Sequence, residues 1–169
     1  MENTGGTNKT LIWIAAGCLA LVVCILAVIL FGFSGLYWLG SQTAEEVTVL
    51  MDIPVEIRAG SNVILNLTVK NVSDKNVELV GIDFSMNYLD GIVLENTIPP
   101  YTQTYQYDSL GGGETFQTYT FNQPLASGEV LTIIFNGKAI RSGDFSGSVA
   151  VCVNSIFNCV TNVARTIVK

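Results

Sequence analysis

Histidine is absent from the 169 residues, and charge is scarce, with 8 Lys+Arg and 14 Asp+Glu making up 13% of the chain. Without imidazole there is no Ser-His or Cys-His nucleophile, no histidine-ligated metal and no proton shuttle of the usual kind near neutral pH. Soluble domains carry about 25% charged residues, so this chain holds roughly half the ordinary load. A formal net charge of −6 with so few cations cannot neutralise a row of phosphates, and nucleic acid is excluded as an expected partner. Paired carboxylates remain available for glycoside chemistry in principle, but no distinctive acid pair stands out. No catalytic, cofactor or metal residue is therefore assigned, and the expectation is a non-enzyme.

What the chain has in excess is apolar surface. Hydrophobic residues are 49% of the total, and the mean hydropathy is +0.46. Much of that lies in residues 11–39, LIWIAAGCLALVVCILAVILFGFSGLYWL, a run without one charged side chain. About 20 apolar residues suffice to cross a bilayer as a helix, and 18 is the working threshold. Trp13 near one end, and Tyr37 and Trp38 near the other, fit the aromatic belts of a spanning helix. The sequence thus predicts one transmembrane helix over 11–39, with the lipid bilayer as its partner. A cleaved signal peptide would have an apolar region of roughly 7–15 residues, about half of what is present, although Gln42-Thr43-Ala44 would serve as a cleavage site. Ala15-Ala16-Gly17-Cys18 resembles a lipoprotein box, but the apolar run continues long past Cys18. Pilin and archaellin precursors place charge at their cleavage site, and none is found here. Lys9 on one flank and Glu45-Glu46 on the other orient residues 1–10 to the cytoplasm and the remainder outside.

Residues 40–46 read as a linker, and 47–169 as an all-β domain. Val63, Leu65, Leu67 and Val69 alternate with polar positions at the period of a half-buried strand. Val80, Ile82, Phe84, Met86 and Tyr88 do the same over 80–88. Further strands are expected at 47–57 (broken at Pro54), 92–94, 115–121, 130–140, 148–153 and 159–168. Turn signals separate them, including Ala59-Gly60-Ser61, Asp90-Gly91, Gly111-Gly112-Gly113 and Ser142-Gly143-Asp144. Seven to nine short strands at this spacing indicate an antiparallel β-sandwich.

The run Ile53-Pro54-Val55-Glu56-Ile57-Arg58-Ala59-Gly60-Ser61, followed by VILNLTVKNVSDKNVELVGIDFSMNY, resembles the opening strands of immunoglobulin-like sandwiches on prokaryotic surfaces, cohesin-like and adhesion modules among them. The shared pattern is an extended strand, an A-G-S turn, a strand ending in V-x-N, and a strand on the partner sheet. The resemblance covers about residues 50–90 and implies an immunoglobulin-like fold and a surface setting, with no functional residue carried across. The cysteine pair and buried tryptophan of antibody domains are missing, since both tryptophans lie in the apolar run.

The four cysteines divide two and two. Cys18 and Cys24 sit in the apolar run about 240° apart on a helix, where thiols pack as small apolar groups. Cys152 and Cys159 bracket the end of one strand, a turn and the start of the next. A disulfide there would contribute about 2–3 kcal/mol and agrees with an oxidising compartment. A redox-active or metal-binding pair is the other reading, against which stand the spacing and the missing further ligands.

The most unusual stretch is Ile98–Tyr119, IPPYTQTYQYDSLGGGETFQTY, with Tyr101, Tyr105, Tyr107 and Tyr119 and hardly any charge. Tyrosines on a loop offer amphipathic contact area and are enriched at interfaces. The segment reads either as a partner-binding loop or as a long crossover whose tyrosines cover the edge of the core, the second being commoner in small domains. Asp83, Asn87 and Asp90, with Asp108 and Glu114, suggest calcium, and a strand running on to residue 88 would put Asp83 and Asn87 on one face. Calcium needs six to eight converging oxygens, so a solvated sheet face is the better reading. The triple glycine lacks the lysine and hydroxyl of a phosphate loop. Asn8, Asn66 and Asn71 stand in glycosylation sequons that chance explains.

Together these features predict a bitopic membrane protein, with a cytoplasmic N-terminus and an extracytoplasmic immunoglobulin-like sandwich. Its role would be an accessory or structural subunit of a membrane or cell-envelope assembly, or a surface interaction module, with protein partners. The alternative is a subunit of a surface filament assembled through the apolar helix or by strand exchange, and Ala16-x-x-x-Ala20 is a weak helix-packing signal for either. Outside the apolar run, 7 Lys+Arg and 13 Asp+Glu serve residues 45–169. The domain is sparsely charged in its own right.

Overall fold

The computed structural model describes Trp13, Leu19 and residues 21–29, 44–109 and 113–169. The chain divides into two compact units, Met1–Ser41 and Gln42–Lys169. In the first unit the described residues are helical, and 21–29 is a continuous apolar helical stretch bearing the exposed thiol of Cys24. Among the described residues no helix is long and apolar enough to cross a membrane. The rest of the expected span 11–39, with its anchors Tyr37 and Trp38, lies outside them.

Among the described residues the second unit is a β-sandwich of ten strands: β1 (Val47–Asp52), β2 (Glu56–Ile57), β3 (Asn62–Asn71), β4 (Val77–Ser85), β5 (Ile92–Ile98), β6 (Gln103–Asp108), β7 (Thr115–Leu125), β8 (Val130–Ala139), β9 (Gly143–Val153) and β10 (Cys159–Val168). One sheet has the order β1-β3-β8-β5 and the other β2-β10-β9-β4-β7-β6. All neighbours run antiparallel except β2 and β10, which are parallel over two residues. The chain changes sheet at Ile53-Pro54-Val55. A proline cannot donate to a ladder, so β1 stops, and β2 resumes on the opposite sheet.

Alternation in β3 is borne out: Val63, Leu65, Leu67 and Val69 are buried, facing Ile133 and Phe135 of β8 and, across the sandwich, Phe84, Val149 and Val151. Phe135 is the centre of the core. Its ring meets Phe84 at 4.9 Å and 73°, Tyr119 at 5.3 Å and 77°, and Phe121 at 6.2 Å and 87°, all edge-to-face arrangements that aromatic quadrupoles favour. At Gly137 a Cβ would stand 2.3 Å from the Val93 carbonyl oxygen, so only glycine lets β8 pass the bulge of β5. Gly60, in the Ala59-Gly60-Ser61 turn, has φ +81°, a conformation glycine adopts without strain.

Three sequence expectations are corrected. The strand expected over 80–88 covers Val77–Ser85 and ends in a helical turn, Met86–Leu89, where Ser85 Oγ accepts from the Asn87 amide. A register shift between Leu79 and Gly81 interrupts its alternation. The segment read as a long connection contains β6, which pairs with β7 over six residues. Residues Ala44–Glu46, assigned to the linker, belong to the sandwich: Ala44 is buried, its amide donates to the Cys159 carbonyl, and the Glu46 carboxylate accepts from Asn158. Asn71, whose sequon reads as a chance match, is fully buried. Its buried amide group donates to the carbonyls of Lys75, Leu125 and Ala126, and its oxygen accepts from Ser73, which gives the V-x-N signature a physical meaning as a loop clamp.

Candidate interaction site on the six-stranded sheet

The tyrosine-rich stretch is divided by the pleat of β6 and β7. Tyr119 points into the core and is buried, and Tyr101 packs on it at 5.3 Å. Tyr105 and Tyr107 point the other way, onto the outer face of the six-stranded sheet, where they are 42% and 40% exposed. Tyr101 and Tyr119 thus cover the core edge. Tyr105 and Tyr107 stand on an edge strand whose six residues are all exposed.

Beneath Tyr107 lies a group that sequence reasoning placed on a solvated face. Asp83 points outward from β4, opposite Ala150 of β9 and Thr118 of β7, yet it is only 6% exposed. The Tyr107 hydroxyl donates to Asp83 Oδ2 at 2.9 Å, and the Tyr107 ring stacks on Phe116 at 5.5 Å and 19°. Cys152 Sγ approaches the same carboxyl oxygen at 3.8 Å. That sulfur belongs to a disulfide with Cys159, directly opposite in the β9–β10 register with Cα atoms 4.0 Å apart. The expected disulfide is present, at the end of the hairpin that the spacing indicated.

Burial pushes the Asp83 carboxyl above the usual carboxylate range, with the Thr118 and Tyr107 hydroxyls opposing the shift. Thr118 Oγ1 is itself buried and meets no hydrogen-bond geometry, so it acts on Asp83 as a nearby dipole only. Burial, and then the charge of Asp83, drive the Tyr107 phenol well above its ordinary value, so it remains a donor. A closed carboxyl beneath a protonated phenol fastens edge strand β6 to β4 across β7. Chemically this is a clasp.

The calcium candidates do not converge. Asp83 is under Tyr107, and Asn87 lies in the helical turn rather than on the Asp83 strand face. Asp90 pairs with Arg141, Asp108 accepts from Thr115 at 2.7 Å, and Glu114 from Ser148 at 3.4 Å. Among the described residues no group of three or more acidic or thiol side chains is placed to hold a metal ion. A shallow groove of about 320 Å³ opens where the chain changes sheet, lined by Met51, Ile53, Val55, Val163, Ala164, Arg165 and Ile167. Neither this groove nor the Asp83 clasp is signalled in the sequence: both depend on which strands become neighbours.

No protein-family model matches the chain, and no curated protein matches it. Among solved structures, the protein described as AvmM, which catalyses macrocyclisation in alchivemycin A biosynthesis, is 9% identical with a TM-score of 0.51, covering 75% of this chain and 90% of that one. The cohesin module of a Clostridium perfringens family 33 glycoside hydrolase is 9% identical (TM-score 0.43; 73% and 96% covered). The CARDB domain of the Pyrococcus furiosus protein PF1109 is 14% identical (TM-score 0.42; 78% and 96% covered). The chain spans 30% of the length of the Pseudomonas fluorescens glycosylase AlkC and 49% of Bacillus subtilis Spo0M, which it also resembles. Other similar structures are a PapD-like domain of human CEP192 (TM-score 0.42) and the C-terminal domain of the Streptococcus pyogenes antigen I/II-family protein AspA (TM-score 0.41). At 9% identity the likeness to AvmM bears on the fold alone.

Proposed function

We propose that the chain is a membrane-anchored, non-enzymatic β-sandwich facing out of the cytoplasm, which works by contact with protein partners as an accessory or structural subunit of a membrane or envelope assembly, or as a surface interaction module. The observation that carries this reading is the exposed edge strand β6, which presents Tyr105 and Tyr107 and bears no cation. Tyrosines held rigidly on a sheet are economical contact residues, because little side-chain entropy is lost on binding. The Cys152–Cys159 disulfide supports the outward placement, since such bonds persist in oxidising compartments. The uncharged run 11–39 supports anchoring.

Purification of the full chain from its native membranes in mild detergent, followed by mass spectrometry, tests the role. A partner in fixed stoichiometry, lost on Tyr105→Ala/Tyr107→Ala substitution, is expected. Recovery in sheared extracellular material would favour the filament reading instead. Protease added to intact cells should digest residues 44–169, and a protected sandwich would overturn the outward placement.

A further inference from the structure

Four strand edges bound the two sheets, and they are not equally defended against pairing with another chain. β5 carries a register shift between Leu94 and Asn96, with Glu95 at that point, and runs into Pro99-Pro100. β1 lies between Glu45-Glu46 and Asp52, acids at both ends. β10 is covered by β2 at Ile167 and Val168 and carries Arg165 just before them. Bulges, prolines and charges of this kind are what keeps an edge from templating a foreign strand. β6 has neither bulge nor proline. It pairs with β7 without a register break from Gln103 to Asp108, contains no proline or cation, and bears a single acid at its last position. Among the described residues nothing pairs with its other side.

The hydrogen-bond alternation says which groups that side offers. The Ser109 amide donates to the Glu114 carbonyl, and the Thr118 carbonyl, turned toward β6, accepts from Thr104 Oγ1. In an antiparallel ladder the bonded pairs fall on every second residue, so positions 103, 105 and 107 bond to β7. The amides and carbonyls of Thr104, Gln106 and Asp108 face outward from the sheet edge.

We infer that β6 is a self-complementary edge, and that its partner is β6 of a second copy of this chain, the two joined antiparallel about a two-fold axis at Gln106. In this register Gln106 faces its own counterpart, Thr104 faces Asp108, and Tyr105 faces Tyr107 of the other copy. All three outward-facing backbone pairs then fall in hydrogen-bonded positions. The side-chain alternation is preserved across the junction, as a two-fold interface requires. Four tyrosines form one ladder on the outer face, in the aromatic cross-strand pairing that stabilises sheets. The two Asp108 carboxylates stand at opposite ends of the junction, each beside a threonine, so no like charges meet. The same operation on β1 would bring acids of both copies together. A six-residue edge covers less area than the about 1,200–2,000 Å² of a stable complex, so the dimer is reversible and forms where copies are concentrated. This inference does not depend on how the chain is anchored.

Cysteine cross-linking of the full chain in detergent, on a Cys18→Ser/Cys24→Ser background that keeps the native disulfide, reads the register directly. Hydrogen-bonded cross-strand Cα atoms lie about 5.5 Å apart, within disulfide reach. Gln106→Cys alone is expected to give a disulfide-linked dimer under mild oxidation. Thr104→Cys alone should not, because its counterpart lies about 13 Å along the strand. A mixture of Thr104→Cys and Asp108→Cys chains should cross-link to each other. Adding Gln106→Pro, which removes the two central amide donors without touching the ladder to β7, should slow that mixed cross-linking at least about tenfold, on the order expected for two lost amide bonds. No dimer from Gln106→Cys, or equal yields from Gln106→Cys and Thr104→Cys alone, would overturn the inference. Unchanged mixed cross-linking with Gln106→Pro would do the same.

Discussion

In the four-stranded sheet, every second residue of β3 from Val63 to Val69 is buried, while Ile64 and Lys70 on the other face stay exposed. In the six-stranded sheet, Gly81 and Asp83 of β4 also point outward and are buried nonetheless. The two sheets follow one pleat, and the difference comes from what lies above each. Nothing among the described residues covers the outer face of β3. Over β4 the chain has laid Tyr107 from β6 and the Cys152–Cys159 bridge from β9 and β10. Period-two alternation determines which side of a strand a residue occupies. It does not determine whether that side meets water.

The comparison fails first if the shared core between the sheets is removed. Phe135, on the four-stranded sheet, touches Phe84, Tyr119 and Phe121 of the other layer. Phe135→Ala should cost about 3–5 kcal/mol through lost transfer energy and a cavity, read as a fall in the urea midpoint with an unchanged slope. Ile64→Ala, on the uncovered face one strand away, should stay within about 0.5 kcal/mol. Comparable losses at the two positions would mean that the outer face of the four-stranded sheet is covered.

The cover over the six-stranded sheet comes next. Cys152→Ser/Cys159→Ser opens a loop of eight residues and should lower stability by about 2–3 kcal/mol, measured by thermal unfolding beside the wild type in oxidising buffer. Reductant should lower the wild type toward the double variant and leave the variant unmoved. Tyr107→Phe keeps the stacking on Phe116 and removes only the donor to Asp83. It should cost about 1–3 kcal/mol, the range for leaving a buried acceptor unsatisfied, and should speed amide exchange in β6 above all, because that strand is the one the bond fastens.

Much of the fold was legible because it rests on local pattern. The alternation of β3, the break at Pro54, the Ala59-Gly60-Ser61 turn and the spacing of Cys152 and Cys159 each report a geometry set within a few residues. β6 escaped because QTYQYD lacks the aliphatic alternation of a half-buried strand: all six residues are exposed, and the strand is held by β7 alone. The bulge after Leu79 escaped because it compensates for Phe121 and Asn122 on a strand forty residues away. Asp83 escaped for the same reason in stronger form. Its burial depends on Tyr107, Thr118 and Cys152, which are contributed by three other strands, and no window along the sequence contains them together. The tyrosines were correctly seen as unusual, but their division into two inward and two outward was set by pairing register.

The smallest effect separates burial from bonding at Asp83. Its folded carboxyl titrates above the unfolded value of 3.8, chiefly because burial disfavours the charge. Between the unfolded and folded values the native state therefore binds the proton more tightly. Its contribution to stability is fully present below pH 3.8 and is lost as the pH rises through the folded value. Asp144 runs the opposite way: the Arg165 guanidinium holds it low, so its share, small at an exposed site, is lost on acidification. The two contributions overlap in the wild type and are separated by substitution at one of them. Asp83→Asn keeps an acceptor for the Tyr107 hydroxyl, cannot ionise, and brings an amide donor toward the unpartnered Thr118 Oγ1. Melting temperatures across the acid-to-neutral range should converge for wild type and variant at low pH and separate as pH rises, the variant being the more stable at neutral pH. A constant offset between the two curves would mean that the Asp83 carboxyl is hydrated in the folded protein, and that the cover distinguishing this sheet from the other is open to water.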